Sequence, residues 1–208
     1  EFTWEYFLDT IVIPGGFADW AGRFLTQFFY FAWSGAVIIV LLFLAIQNEV
    51  YRLLQKRIPA SYALSFVPLI PLMVFLCNGE AMVSFPVALL LSLCTATAVL
   101  RIRSNGVKTA VELVCVPVLY FLSGPVSILF SAAVAIRERK FWLFAVATIL
   151  WLASVFASYL CFGYPLYRLF YGIGYYRFHH TLPVWPWVTA LVTVAVISFA
   201  DRVKTKDS

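Results

Sequence analysis

The chain is predicted to fold as an all-α, polytopic transmembrane helix bundle, entered by amphipathic helices that lie at the membrane surface. Three observations carry that expectation. The 208 residues are 63% hydrophobic and only 12% charged, with a mean hydropathy of +0.91, far more apolar surface than a soluble domain can keep in water. Uncharged stretches recur at 28–48, 58–79, 81–100, 113–136, 141–167 and 178–200. At about 1.5 Å per helical residue, roughly twenty residues cross the ~30 Å hydrocarbon layer, so these stretches are the right size for spans. Lys and Arg collect in the short connections between them.

Taken in order, Glu1, Glu5 and Asp9 are spaced i, i+4, i+8, which places three acids on one face of a first helix. Like charges at that spacing weaken an isolated helix by a few tenths of a kcal/mol per pair (~0.2–0.5). They read either as an exposed interfacial face or as the mark of a cationic partner. Pro14-Gly15-Gly16 ends that helix. In the next one, Phe17, Trp20, Ala21, Phe24, Leu25 and Phe28 recur at helical spacing opposite Asp19, Arg23, Thr26 and Gln27, so residues 1–27 are expected to be interfacial. The bundle proper covers 28–200, with segments at about 28–47, 62–79, 81–100, 109–136, 141–161 and 184–200; a basic cytoplasmic tail, 201–208, follows. Pro68 and Pro71 each remove a backbone donor and are expected to kink the second segment.

The segment 109–136 decides the topology. Basic residues lie before it (Arg101, Arg103, Lys108) and after it (Arg137, Arg139, Lys140), and Ser123-Gly124-Pro125 interrupts it near the middle. A single kinked crossing divides the fifteen Lys and Arg almost evenly between the two sides. A turn at Gly124-Pro125 leaves only Arg23, Arg168 and Arg177 on the outer side, as the accumulation of basic residues in cytoplasmic loops favours. A broken or re-entrant helical hairpin is therefore preferred, with the N-terminal region outside and the C-terminus cytoplasmic. Its arms, roughly 18–21 Å each, are short for a crossing. The single long span stays open as the alternative.

Composition also narrows function. The net charge of +5 sits beside spans, where it orients the chain and meets anionic lipid, so nucleic acid is not expected as a partner. Cys77, Cys94, Cys115 and Cys161 lack metal-ligand spacing and read as small hydrophobes, with a Cys77–Cys161 disulfide as a minor possibility. No metal site, phosphate-binding loop, dinucleotide fingerprint or nucleophile elbow is apparent, and no cofactor is indicated. The chain begins at Glu1 without a recognisable signal peptide, so either something upstream was removed or this is an internal piece.

Three groups of residues could carry chemistry. Asp9, Asp19 and Glu80 are outer-face carboxylates that could act as acid, base or metal contact, although Glu80 also suits a plain membrane-edge turn. The aromatic and glycine-rich stretch 162–180 contains Tyr175, Tyr176, Arg168, Arg177, His179 and His180. It reads either as a headgroup-level aromatic belt or as a platform on which a lipid-linked headgroup stacks while the arginines take phosphate oxygens. Glu112 lies inside an apolar arm, where an ionised group is costly, and Lys108 at i−4 is its expected partner.

The strings Tyr6-Phe7-Leu8-Asp9, Pro14-Gly15-Gly16-Phe17 and Arg23-Phe24-Leu25-Thr26-Gln27-Phe28-Phe29-Tyr30, with Tyr164-Pro165 and Tyr175-Tyr176-Arg177, resemble an uncharacterised family of bacterial multi-spanning inner-membrane proteins over most of the chain. Members of that family look longer at both ends and bring no established activity. A more distant similarity is to membrane glycosyltransferases that use polyprenyl-phosphate sugar donors, in which an outer-loop carboxylate acts in catalysis or metal binding. Asp9 and Asp19 match that position in kind, while a paired-acid motif is absent. The leading expectation is thus a glycosyltransferase-like protein acting on a lipid-linked, phosphate-containing substrate at the outer membrane face. The alternatives are a transporter or channel built on broken helices, and a non-catalytic subunit that docks a protein partner or flanking segments.

Overall fold

The computed structural model describes residues 4–54, 60–176 and 184–206. Every named element is helical, and one isolated antiparallel bridge pairs Ala81 with Tyr176. Two short helices, α1 (Trp4–Ile11) and α2 (Gly16–Thr26), precede a 3-10 turn (Gln27–Tyr30) and the long helix α3 (Ala32–Leu54). Phe31 is extended between the turn and α3, so the chain changes direction there, and the Ser34 hydroxyl donates to the Phe31 carbonyl at 2.9 Å. The first span does not stop at Gln47 as expected. Glu49 is buried, but its carboxylate accepts from Arg52 and from the Thr97 hydroxyl, each at 2.7 Å, so the helix carries its charges on to Leu54.

The second segment is broken as its prolines demand. Helix α4 (Ser61–Leu64) gives way to turns before α5 (Leu69–Leu76), which has Pro68 as its N-cap and Pro71 in its first turn, where a missing N–H costs least. Helix α6 (Ser84–Leu100) follows and is the centre of the molecule. It packs against α2, α3, α7 and α8, and Phe85, Leu89, Leu93 and Ala96 along it are fully buried.

The next segment folds back on itself. Helix α7 (Asn105–Ser123) runs up, a 3-10 turn (Gly124–Ser127) reverses the chain, and α8 (Ile128–Glu138) runs down. Taken as one stretch, Asn105–Glu138 has the length and hydropathy of a span. Yet the Lys108 ammonium meets the Glu138 carboxylate at 2.7 Å, which a continuous 34-residue helix, about 50 Å long, forbids. The chain therefore turns back, and its arms are unequal: α7, which begins at Asn105, has 19 residues and is longer than expected, whereas α8 has 11 and is slightly shorter. Lys108 also corrects its expected pairing. It meets Glu138 across the hairpin rather than Glu112 on its own helix.

At the hairpin tip, the Gly124 amide caps the Tyr120 carbonyl, but Pro125 has no N–H to offer Phe121. The Gly15 amide supplies it, donating to Phe121 at 2.9 Å and to Tyr120 at 3.2 Å. Gly15 has φ +78°, and a Cβ there would lie 3.3 Å from the Gly124 Cα. The Pro14-Gly15-Gly16 turn thus works as a cap for another helix.

Helix α9 (Phe141–Phe162), the short α10 (Leu166–Tyr171) and α11 (Val184–Lys206) complete the bundle. The last helix runs on into the expected tail, and Asp201 on it holds Arg139 at 3.1 Å. One end of the molecule therefore gathers α1, α2, the 77–83 loop, the hairpin tip and residues 163–176, and the other gathers the Lys108–Glu138 and Arg139–Asp201 pairs. Exposed side chains along the spans are themselves apolar, among them Val40 and Leu44 on α3, Ile149 and Phe156 on α9, and Leu191 on α11. A face of that kind suits hydrocarbon rather than water. All four cysteines are free, so the Cys77–Cys161 disulfide is not formed.

Candidate functional site

An open cleft of about 650 Å³ lies at the end of the bundle that carries α1 and α2. Its walls are Asp19, Arg23, Thr26 and Gln27 from α2 and the turn after it, Met82 from the loop before α6, and Tyr164, Arg168, Ile173, Gly174 and Tyr176 from the segment after α9. Three backbone-level contacts hold these elements in place. The Met82 amide donates to the Tyr175 carbonyl at 3.0 Å, the Ser84 hydroxyl donates to the Gly174 carbonyl, and Gly22 lets α2 lie directly on Ser84. A Cβ at Gly174 would sit 2.9 Å from the Asp19 carboxylate, so only glycine lets the 172–176 turn close on that acid.

The charges in the cleft are unevenly satisfied. Asp19 Oδ2 takes the Arg23 guanidinium at 2.9 Å, and Arg23 also donates to the Tyr6 hydroxyl at 3.0 Å, tying α2 to α1. Asp19 Oδ1 is buried without a hydrogen-bond partner among the described residues. Burial pushes the Asp19 carboxyl above its ordinary 3.8, outweighing the opposing pull of Arg23. Across the cleft, the buried Arg168 Nε likewise meets no acceptor among the described residues. Tyr176 has its phenol pushed up to about 12, first by burial and then by the negative charge of Glu80 behind it. Two residues of the cleft wall thus each keep a buried atom without a partner among the described residues, an acceptor on Asp19 and a donor on Arg168.

Of the candidate residues, Asp19, Arg168 and Tyr176 share this cleft, although they are far apart in the chain. Asp9 does not line it; it is exposed on α1. Glu80 lies beside it, and its amide donates to the Asn78 side chain at 3.1 Å. Tyr175 points the other way: it is buried, and its hydroxyl donates to the Ser123 carbonyl at 2.5 Å and accepts from the Val126 amide at 3.4 Å, which pins the hairpin tip. Arg177, His179 and His180 lie outside the described residues. Arg23, Thr26, Gln27 and Tyr164 were not among the candidates; the i, i+4 spacing of Asp19 and Arg23 was the available signal. Glu112 is far from this cleft, fully buried in α7. No cluster of His, Cys, Asp and Glu able to hold a metal ion occurs among the described residues.

Fold and cleft together define a polytopic α-helical membrane protein with a polar, charged recess at one end of an apolar bundle. The chain belongs to the family of unknown function DUF6057, whose model matches residues 1–207. No curated protein matches it, and no solved structure does.

Proposed function

We propose that this protein acts on a lipid-linked substrate whose phosphate-bearing headgroup enters the cleft from the outer leaflet, and that it does so as a glycosyltransferase-like enzyme. The observation that carries the reading is the convergence of Asp19, Arg23, Arg168 and Tyr176 on one open recess of about 650 Å³ at an end of an otherwise apolar bundle. A guanidinium with an unmatched donor is suited to a phosphate oxygen, because charge-assisted bonds to phosphate are among the strongest available to a side chain. Asp19 then serves as proton acceptor. Its raised pKa makes it a better base than an ordinary aspartate, and its free Oδ1 is the oxygen that takes the proton. In the transfer, the acceptor hydroxyl oxygen bonds to the anomeric carbon, the bond from that carbon to the lipid phosphate breaks, and the phosphate leaves with the electron pair. The hydroxyl proton passes to Asp19. Tyr164 and Tyr176 offer ring faces for the sugar. The bundle end that holds Arg52, Lys108, Arg139 and Lys140 faces the cytoplasm in this reading, so the cleft faces outward.

The test is retention of a polyprenyl phosphate by the detergent-purified chain, read by native mass spectrometry, against the uncharged polyprenol. Binding of the phosphate but not the alcohol is expected, with a loss of roughly tenfold or more in Arg168→Gln and retention in Asp19→Asn. Equal binding of alcohol and phosphate, or an unaffected Arg168→Gln, overturns the reading.

A further inference from the structure

The foot of the hairpin, remote from the cleft, holds a second site. Glu112 sits two turns into α7 with no exposed surface, and neither carboxylate oxygen has a hydrogen-bond partner among the described residues. Lys108, one turn below, is itself buried and gives its ammonium to Glu138 Oε1 at 2.7 Å, while Lys140 reaches Glu138 Oε2 at 3.6 Å. From α8 the charged groups are Glu138 and Arg137, the latter with a contact of its own. Lys140 comes from the turn into α9. Helices α6 and α9 bring no charged residue along their spans, only the titratable Cys94, Tyr159 and Cys161, and α7 adds Cys115 and the buried Tyr120. The charges of α2, Asp19 and Arg23, lie in the cleft at the opposite end. Higher along the same hairpin, the buried hydroxyls of Ser127 and Ser131 also lack partners among the described residues, whereas Ser123, Ser154 and Ser158 each bond the carbonyl four residues back.

A carboxylate in apolar surroundings with no donor is the costly form of the acid; the neutral carboxyl is the form such a place accepts. We propose that Glu112 is an intramembrane proton-binding site, occupied at neutral pH, and that loss of its proton moves Lys108 from Glu138 to Glu112. On release, the O–H bond of Glu112 breaks and the proton leaves to water at the basic end of the bundle. The Lys108 ammonium turns one helical step upward to the new carboxylate, an i, i+4 partner. Glu138 keeps Lys140. Proton occupancy therefore sets which arm of the hairpin Lys108 holds, and the site belongs to a proton-dependent step separate from headgroup binding.

Infrared difference spectroscopy on the full chain in liposomes tests this. Wild type should show, at neutral pH, a carboxylic-acid C=O stretch that shifts in D₂O and disappears in Glu112→Gln, a substitution shaped like the neutral acid. Glu138→Gln should also abolish it, because Lys108 is then free to ionise Glu112. Absence of the band in wild type, its survival in Glu112→Gln, or an unchanged band in Glu138→Gln overturns the proposal. So does loss of the wild-type band on adding sodium at constant pH, which would make the occupant a metal cation.

Discussion

Replacing Tyr175 by Phe removes one oxygen and nothing else, and the structure lets its effect be worked out. That oxygen donates to the Ser123 carbonyl at 2.5 Å and accepts from the Val126 amide at 3.4 Å, in a place sealed from solvent. The ring stays where it is, edge-on to Phe85 at 5.2 Å, so no cavity opens. What is lost is the partner of a buried carbonyl and, more weakly, of an amide, a cost of about 1–3 kcal/mol. For a chain of this size ~1 kcal/mol moves the midpoint by roughly 2–4 °C, so thermal unfolding in detergent should shift down by about 2–12 °C. Tyr175→Ala should cost more, about 3–5 kcal/mol, since it also vacates the ring. Because Gly174 and Tyr176 flank this residue and line the cleft, Tyr175→Phe should also weaken the headgroup binding proposed above. A midpoint unchanged in Tyr175→Phe would refute the reasoning, since it would mean that the tip of the hairpin does not hang on this hydroxyl.

Three more outcomes follow from particular contacts. Asp19 binds its proton more tightly folded than unfolded, so its contribution to stability is full below its ordinary 3.8 and is lost as pH rises through its raised value; the midpoint of Asp19→Asn relative to wild type should therefore rise as pH increases above 3.8, and a flat difference would contradict it. A Cβ at Gly16 would lie 1.8 Å from the Thr10 carbonyl oxygen, so Gly16→Ala should separate α1 from α2 and lower the yield of folded protein on size-exclusion chromatography. With Cys77, Cys94, Cys115 and Cys161 replaced, single cysteines at Ser104 and Lys140 should be labelled by an impermeant maleimide from the same side of the membrane; opposite sides would mean that α7 and α8 form one crossing.

Much of the fold was legible because membrane spans obey a length rule that no soluble helix must satisfy. The hairpin was legible for a different reason, the basic residues at both of its ends. The missing parts were long-range. Nothing near Glu49 in the chain announces that Thr97 will help hold its charge, so the first span was ended too early. Lys108 has one carboxylate within helical reach, Glu112, and Glu138 becomes available only once the chain has doubled back. Tyr175 and Tyr176 look alike in the sequence; a single alternation of backbone direction sends one into the core and the other into the cleft. Asp19, Arg168 and Tyr176 were each identifiable as chemistry-bearing, but Arg23 was read as the polar side of an amphipathic helix and an outer-side charge, not as a site residue.

The cap that Gly15 places on the hairpin carries a consequence for biogenesis. Pro125 leaves the Phe121 carbonyl without its helical donor, and the amide that replaces it belongs to a turn made long before the hairpin leaves the ribosome. The turn between α1 and α2 can therefore complete this cap only after the hairpin has been made. Assembly of the cleft is thus a late event, scheduled by the arrival of the tip, since its walls come from α2 and from residues 164–176, on either side of the hairpin in the chain.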